Sequence, residues 1–326
     1  MRKLLNLFLY ISLSGLLAMI FCISWIYKDF TRDGPLNSNT TFYIEKGSSI
    51  SFIGKALEDA QIIDNSLLFK LGLRLFSDLK VMKTGEYRIL AKSSSASIAN
   101  IFQSGATQIH SFTIAEGLTS NEIVKLIRGR NNLTGVISQV PKEGSLLPET
   151  YYFSYGDSRQ SLITRMKRDM KGLISKLWAE RATGLPFRSI EEAVILASIV
   201  EKETGKVEER AHVAAVFINR IRKGMRLQSD PTIIYGITKG KGNLRRELNR
   251  SDLAKKTPFN TYLINGLPPT PIANPGREAL KAVLHPRKTN DFYFVANGKG
   301  GHAFSETLDA HNQNVRKWRK LKKKDN

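Results

Sequence analysis

The sequence has little cysteine: Cys22 is the only one in 326 residues. An internal disulfide framework and a zinc-finger array are therefore excluded. It is also short of acid. Asp and Glu total 29 against 50 Lys and Arg, a formal net charge of +21. That excess points to an anionic partner, but composition does not choose among nucleic acid, acidic lipid and an anionic cell-wall polymer. The five histidines are scattered, with no HExxH or other ligand spacing, so no metal and no cofactor is expected. Gly298-Lys-Gly-Gly lacks the GxxxxGK pattern, followed by Ser or Thr, of a phosphate-binding loop. No internal repeat is evident. With 41% hydrophobic and 9% aromatic residues the chain is not a disordered one. Its length suits about two domains with real cores.

Long apolar runs are scarce too, with one exception. Leu4 to Tyr27 holds 24 residues without a charge. As a helix at ~1.5 Å per residue this spans about 36 Å, enough for a hydrocarbon core of ~30 Å. Tyr10, Trp25 and Tyr27 suit places at or near an interface. Arg2, Lys3 and the amino terminus precede the run, and the two basic residues after it are offset by Asp29 and Asp33. The expectation is a retained single-pass anchor in the inner (cytoplasmic) membrane, N-terminus in the cytoplasm and body outside. A cleaved signal peptide would have a shorter apolar region of ~7–15 residues ending in small residues. An exported body weakens the nucleic-acid reading, and no nucleic-acid partner is expected.

The body reads as α+β. Residues 29–40 are polar with Gly and Pro, a linker. A strand at Thr41, helical periodicity over Ser51–Ala60 and Ser66–Phe76, and a strand from Gly85 follow. This strand–helix–helix–strand order resembles, in topology, the small LysM-like modules that bind glycan. Beyond it come a short helix from Ser97, a strand from His110, and a helix capped by Thr119 or Ser120. An aromatic segment from Gly144 precedes a long helix over Ser158–Arg181. The expected organisation is an anchor over 1–28, the linker over 29–40, a LysM-like module over 41–105, a mixed α/β catalytic domain over 106–318 and a basic tail over 319–326.

The segment richest in chemistry runs from Ser189 to Gly205. Ser189 and Glu192 form a capping-box pattern, and Ala193 to Val200 is apolar almost all round, as in a helix central to a core. Glu201 and Glu203 fall in its last turn, about 200° apart around the axis, so they cannot share a face. Glu203 is i+3 from Val200, i+4 from Ile199 and i+7 from Leu196 and extends a line of buried side chains. A carboxyl at the lip of an apolar wall has its pKa raised by desolvation, which suits a general acid. Residues of these types near a helix end are also common as solvated surface, and Arg210 or Lys202 could pair with either glutamate. Val207 to Lys223 is a second helix. The runs Met225–Gly236 and Thr257–Gly276 mix amide, hydroxyl, carboxylate and ring groups with many prolines. Rigid loops of this kind suit recognition of sugar hydroxyls and N-acetyl groups. Asp291 to Thr307 reads as a strand, a glycine turn and a strand.

These motifs carry a specific resemblance. Ala197-Ser-Ile-Val-Glu-Lys-Glu-Thr, the run from Val216-Phe-Ile-Asn-Arg to Asp230-Pro-Thr-Ile-Ile-Tyr-Gly, Phe259-Asn-Thr-Tyr, Gly266-Leu-Pro-Pro, Ile272-Ala-Asn-Pro-Gly, His285-Pro and Tyr293-Phe-Val-Ala-Asn-Gly-Lys-Gly-Gly-His-Ala-Phe occur in order. The chain resembles the endolytic murein transglycosylases, the YceG-like or MltG family. The resemblance implies a lytic transglycosylase that cleaves the MurNAc-β-1,4-GlcNAc bond within peptidoglycan strands and leaves 1,6-anhydroMurNAc ends. The muramic acid 6-hydroxyl is then the nucleophile, so one glutamate can act as acid and base where ordinary glycosidases use two carboxylates. Glu203-Thr204 resembles the Glu-Ser pair of other lytic transglycosylases, making Glu203 the expected catalytic residue and Glu201 the runner-up. The resemblance also implies that Gln228, Ser229, Asp230, Thr232, Asn260, Thr261 and Tyr262 line the glycan groove, with Glu149 helping to shape it. Peptidoglycan strands, membrane lipid around Leu4–Tyr27 and peptidoglycan synthases are the expected partners. The competing reading is a membrane-anchored scaffold that binds peptidoglycan without catalysis.

Overall fold

The computed structural model describes residues 2–77 and 81–322. The chain is mixed α/β and divides into two compact units, Met1–His110 with Phe153–Gly156, and Ser111–Tyr152 with Asp157–Asn326.

The first unit opens with α1 (Arg2–Thr31), a helix long and apolar enough to cross a membrane. Its last turn does not end in a free linker. Phe30 is 4% exposed and sits in the same apolar cluster as Phe69, Leu73 and Tyr87. The chain then forms β1 (Thr40–Ile44), α2 (Ile50–Asp59), α3 (Ser66–Phe76), β2 (Gly85–Ile89) and α4 (Ser95–Ser104). Ser49, Asn65 and Ser94 accept hydrogen bonds from the first-turn amides of the three short helices, which satisfies donors that a helix start leaves open. β1 and β2 pair antiparallel, Thr40 opposite Ile89 and Ile44 opposite Gly85. α1 lies close against α3 because Gly72 has no Cβ; a methyl there would enter the Phe30 ring. The Tyr27 and Phe76 rings meet edge to face with centroids 5.2 Å apart. The linker expected from residue 29 therefore begins later, after a helix that runs into the core of its own module.

β3 (Ile109–Thr113) pairs with β4 (Thr150–Ser154). Between them α5 (Ser120–Arg128) starts from a full capping box: Thr119 accepts from Glu122 N, and Glu122 accepts from Thr119 N. α6 (Arg159–Ala179) buries Leu162, Ile163, Met166, Met170, Leu173 and Ile174, the face its 3.6-residue period marks out. α7 (Ile190–Glu203) is the centre of the second unit, with every residue from Ala193 to Val200 buried. α8 (Val207–Lys223) and a later helix, α11, pack with it around Leu196, Val200, Val213, Phe217, Leu280 and Val283. At about 1.5–3 kcal/mol per fully buried large aliphatic or aromatic side chain, this cluster is what holds the end of α7 in place.

Four helices were not read from the sequence, the last of them the one that ends the described chain. α9 (Asp230–Thr238) and α10 (Arg250–Ala254) are short, and α11 (Arg277–Leu284) follows the proline-rich run. β5 (Tyr293–Ala296) and β6 (His302–Ser305) make the expected hairpin, with Tyr293 opposite Ser305. α12 (Leu308–Lys322) closes the described chain, so the basic stretch from residue 319 continues a helix as far as Lys322; residues 323–326 lie outside the described residues.

Candidate active site

α7 ends abruptly. Glu203 is its last helical residue, and Thr204 turns to extended backbone (φ −142°, ψ 132°). Both glutamates of the last turn are thereby fixed, and their surroundings are opposite in kind.

The Glu201 side chain is 4% exposed and fully engaged. Its Oε1 accepts from Arg210 Nη2 at 2.8 Å and its Oε2 from the Gly276 amide at 2.8 Å. Arg210 also reaches Glu116 at 2.9 Å, so one buried guanidinium joins two carboxylates. Burial pushes the Glu201 carboxyl up, and the Gly276 amide and Arg210 pull it back. A Cβ at Gly276 would run into the Glu116 side chain and push it from its place beside Arg210.

Glu203 is part-buried on the other side of the helix. Among the described residues its hydrogen-bond partner is Ser229, whose hydroxyl donates to Oε1 at 2.5 Å. Among the described residues no cation pairs with it directly. Burial pushes its carboxyl up to about 7; Asp230 adds to the rise, while the Ser229 hydroxyl and the more distant charge of Arg220 oppose it. A carboxyl near that value populates both its protonated and its ionised form at neutral pH, as a group that gives and takes a proton must.

Ser229 is held by a closed set of bonds. Its amide donates to Thr261 Oγ1 at 2.9 Å, and its carbonyl accepts from Thr232 Oγ1 at 2.6 Å. The two threonine hydroxyls meet at 2.9 Å. Gln228, just before it, sits at φ +51°, a left-handed backbone that costs a non-glycine residue about 1–2 kcal/mol. Its amide donates to the Thr261 carbonyl at 3.1 Å. Asn260 Nδ2 donates to the carbonyls of Leu253 and Lys255 at 2.9 and 2.8 Å, and its Oδ1 takes the Tyr262 amide at 3.0 Å. Tyr262 in turn donates its hydroxyl to Asp230 at 2.7 Å.

The expected groove residues thus separate into two kinds. Thr232, Asn260 and Thr261 are fully buried; the two threonine hydroxyls join the two loops, and the Asn260 amide ties its own loop to Leu253 and Lys255. Gln228 and Asp230 are exposed, Tyr262 is half-buried, and these flank the Glu203–Ser229 contact. Glu149 belongs to neither kind. It lines a separate open cleft of about 720 Å³ with Tyr151, Arg165, Arg168 and Lys176, 3.8 Å from Arg277. The ordering of the proline-rich run was not legible beforehand. Ser198, the one hydroxyl in the apolar stretch of α7, accepts the Ile272 amide at 3.0 Å, and buried Asn274 takes the Leu146 amide and donates to Leu118 O and Ser120 Oγ. Among the described residues no group of three or more His, Cys, Asp and Glu side chains is placed to hold a metal ion.

Comparison with known proteins bears on the same residues. A protein of Bacillus subtilis (strain 168) named endolytic murein transglycosylase is 28% identical over 316 residues, 86% of each chain. One of the same name from Streptococcus pneumoniae (serotype 2, strain D39) is 25% identical over 334 residues; the match takes in 86% of this chain and 59% of that longer relative. The crystal structure of a YceG-like protein from Listeria monocytogenes has 31% sequence identity and a TM-score of 0.54, covering 85% of this chain and 98% of that one. The model of the YceG-like family matches residues 42–317. That span holds both carboxylates of α7, the two loops around Ser229 and the terminal hairpin, and on this match the chain is a member of the YceG-like family.

Proposed function

We propose that the protein is a membrane-anchored endolytic lytic transglycosylase of peptidoglycan, with Glu203 as its single catalytic carboxyl. The observation that carries this reading is the pair of neighbouring glutamates. Glu201 is bound by a cation and an amide, whereas Glu203 meets a lone hydroxyl and is pushed up to about 7. The name borne by the relatives supports the reaction class.

In the reaction Glu203 gives its proton to the glycosidic oxygen as the C1–O4 bond breaks. The muramic acid 6-hydroxyl attacks C1 and passes its proton to the Glu203 carboxylate. A 1,6-anhydro end and a free 4-hydroxyl result, no water is consumed, and the acid is regenerated. Ser229 holds the carboxyl in place through both transfers. Gln228, Asp230 and Tyr262 contact the sugars, and the buried Thr232, Asn260 and Thr261 keep that wall rigid. α1 is the anchor, with the N-terminus in the cytoplasm and the enzyme outside. Residues 41–105 form a LysM-like module that binds glycan.

Product analysis by mass spectrometry is the test. Wild-type protein on purified sacculi should release 1,6-anhydro ends, and Glu203→Gln should not. Products heavier by one water would indicate a hydrolase, with Asp230 as its second carboxylate. Binding to sacculi without turnover by wild type would indicate the scaffold.

A further inference from the structure

Arg220 stands out among the charged residues of α8. It is 7% exposed, and among the described residues it has no carboxylate within ion-pair distance. A buried cation without a partner is costly, so its charge and its donors should each have a use. Its Nε donates to the Phe292 carbonyl at 2.7 Å, at the entry to β5, and its Nη1 to the Leu227 carbonyl at 2.6 Å. Leu227 is fully buried and is followed directly by left-handed Gln228 and by Ser229. One planar fork therefore joins the hairpin to the loop that faces Glu203. Asn219 reinforces the same seam by donating to the carbonyls of Thr289 and Asp291.

The charge has a direction as well. Glu203 and Arg220 attract one another without touching through a hydrogen bond. The groups facing Glu203 are Ser229, which donates to it, Asp230, which repels its charge, and Tyr262, whose hydroxyl is committed to Asp230. Beside Arg220 lie the Tyr293 ring, 5.5 Å away, and His311, whose pKa burial and the Arg220 charge both lower. Arg220 is thus the positive charge that acts on the Glu203 carboxylate.

We propose that Arg220 is the positioning residue of this site: it fixes the Leu227–Ser229 segment against Glu203 and supplies the charge that meets the carboxylate formed when Glu203 gives up its proton. The inference rests on the function proposed above. A fixed charge of this kind needs no reorganisation at the moment of transfer. It differs from a merely structural arginine in what it does to the titration of Glu203.

The test uses the full-length protein in detergent. The carboxyl resonance of 13C-labelled glutamate that is lost in Glu203→Gln reports the titration of Glu203 without any turnover. Arg220→Gln should move that midpoint to higher pH. It should also lower kcat by about 10²-fold with KM little changed, since misplacement by about 1 Å costs that much. Arg220→Lys retains the charge but cannot reach both carbonyls, so it should leave the midpoint near that of wild type and still lower kcat. An unmoved midpoint in folded Arg220→Gln overturns the proposal. If that variant does not fold, wild-type kcat in Arg220→Lys overturns it instead. A midpoint that moves as expected in a protein with no turnover on peptidoglycan sinks the function proposed above and leaves the coupling of Arg220 to Glu203 standing.

Discussion

Glu201 and Glu203 lie two residues apart on one helix and live in different chemical environments. Glu201 faces the side where Arg210, Glu116 and the Gly276 amide converge, and its charge is compensated. Glu203 faces the loop of Ser229, where burial opposes ionisation and one hydroxyl is the only direct partner among the described residues. Helical periodicity separates the two side chains by about 200°, and that alone delivers them to two independent environments. The comparison teaches that one helix end can hold one buried carboxylate with a bonded counter-charge and another whose direct partner is a neutral hydroxyl.

The largest effect should come from Glu203→Gln, which is nearly isosteric. Loss of general acid–base action costs about 10²–10⁴-fold, so kcat for release of anhydro ends should fall into that range. Activity near that of wild type would break the comparison at its centre. Glu201→Gln should do the reverse. It leaves Arg210 buried with only the half-exposed Glu116, a loss of about 3 kcal/mol measurable by urea or thermal unfolding, while costing far less kcat than Glu203→Gln.

The pH dependence sharpens the same contrast. The folded-state value of Glu203, about 7, lies above its ordinary 4.5. The unfolded chain therefore loses this proton first, and stability falls as pH rises from about 4.5 to about 7. Glu203→Gln removes the penalty, so the variant should match wild type near pH 4 and exceed it above pH 7 by up to about 3 kcal/mol. Melting temperatures of the two proteins across pH check this; a constant difference would mean that Glu203 titrates normally. For activity the sign follows from the proposed acid role: kcat should fall as pH rises through about 7. The smallest effect expected is that of Ser229→Ala. It removes the one hydrogen bond that favours the Glu203 carboxylate, so the alkaline limb of the rate profile should move to higher pH, with kcat down about tenfold.

Much of this arrangement was legible in the residues. The apolar run Ala193–Val200 marked α7 as a core helix, and the i+3, i+4 and i+7 relation of Glu203 to Val200, Ile199 and Leu196 placed it beside that core. The chemistry of the loops at 225–236 and 257–276 also showed in their mix of side chains. Three things did not show. Which glutamate Arg210 pairs with was open, because Arg210, Glu116 and Gly276 come to Glu201 from other elements. Thr232, Asn260 and Thr261 looked like groove residues, yet their hydroxyls and amide are spent inside the wall, since a buried loop must satisfy its own polar atoms. α9, α10 and α11 were missed because they are short or open on proline and glycine rather than on an apolar period, and α12 because it buries no residue and its basic run shows no apolar face.

The sequence by itself determined the apolar helix at the N-terminus, the central helix of the second unit, the faces of its two last-turn glutamates and the family. These depend on local periodicity and on motifs read along the chain. Only the tertiary structure decided that Phe30 ties α1 into the core of its own module, that Arg210 goes to Glu201 and not to Glu203, and that Arg220 binds two carbonyls. Hydrogen bonds and ion pairs between residues distant in sequence depend on which elements pack together, and no local pattern encodes which charge finds which partner.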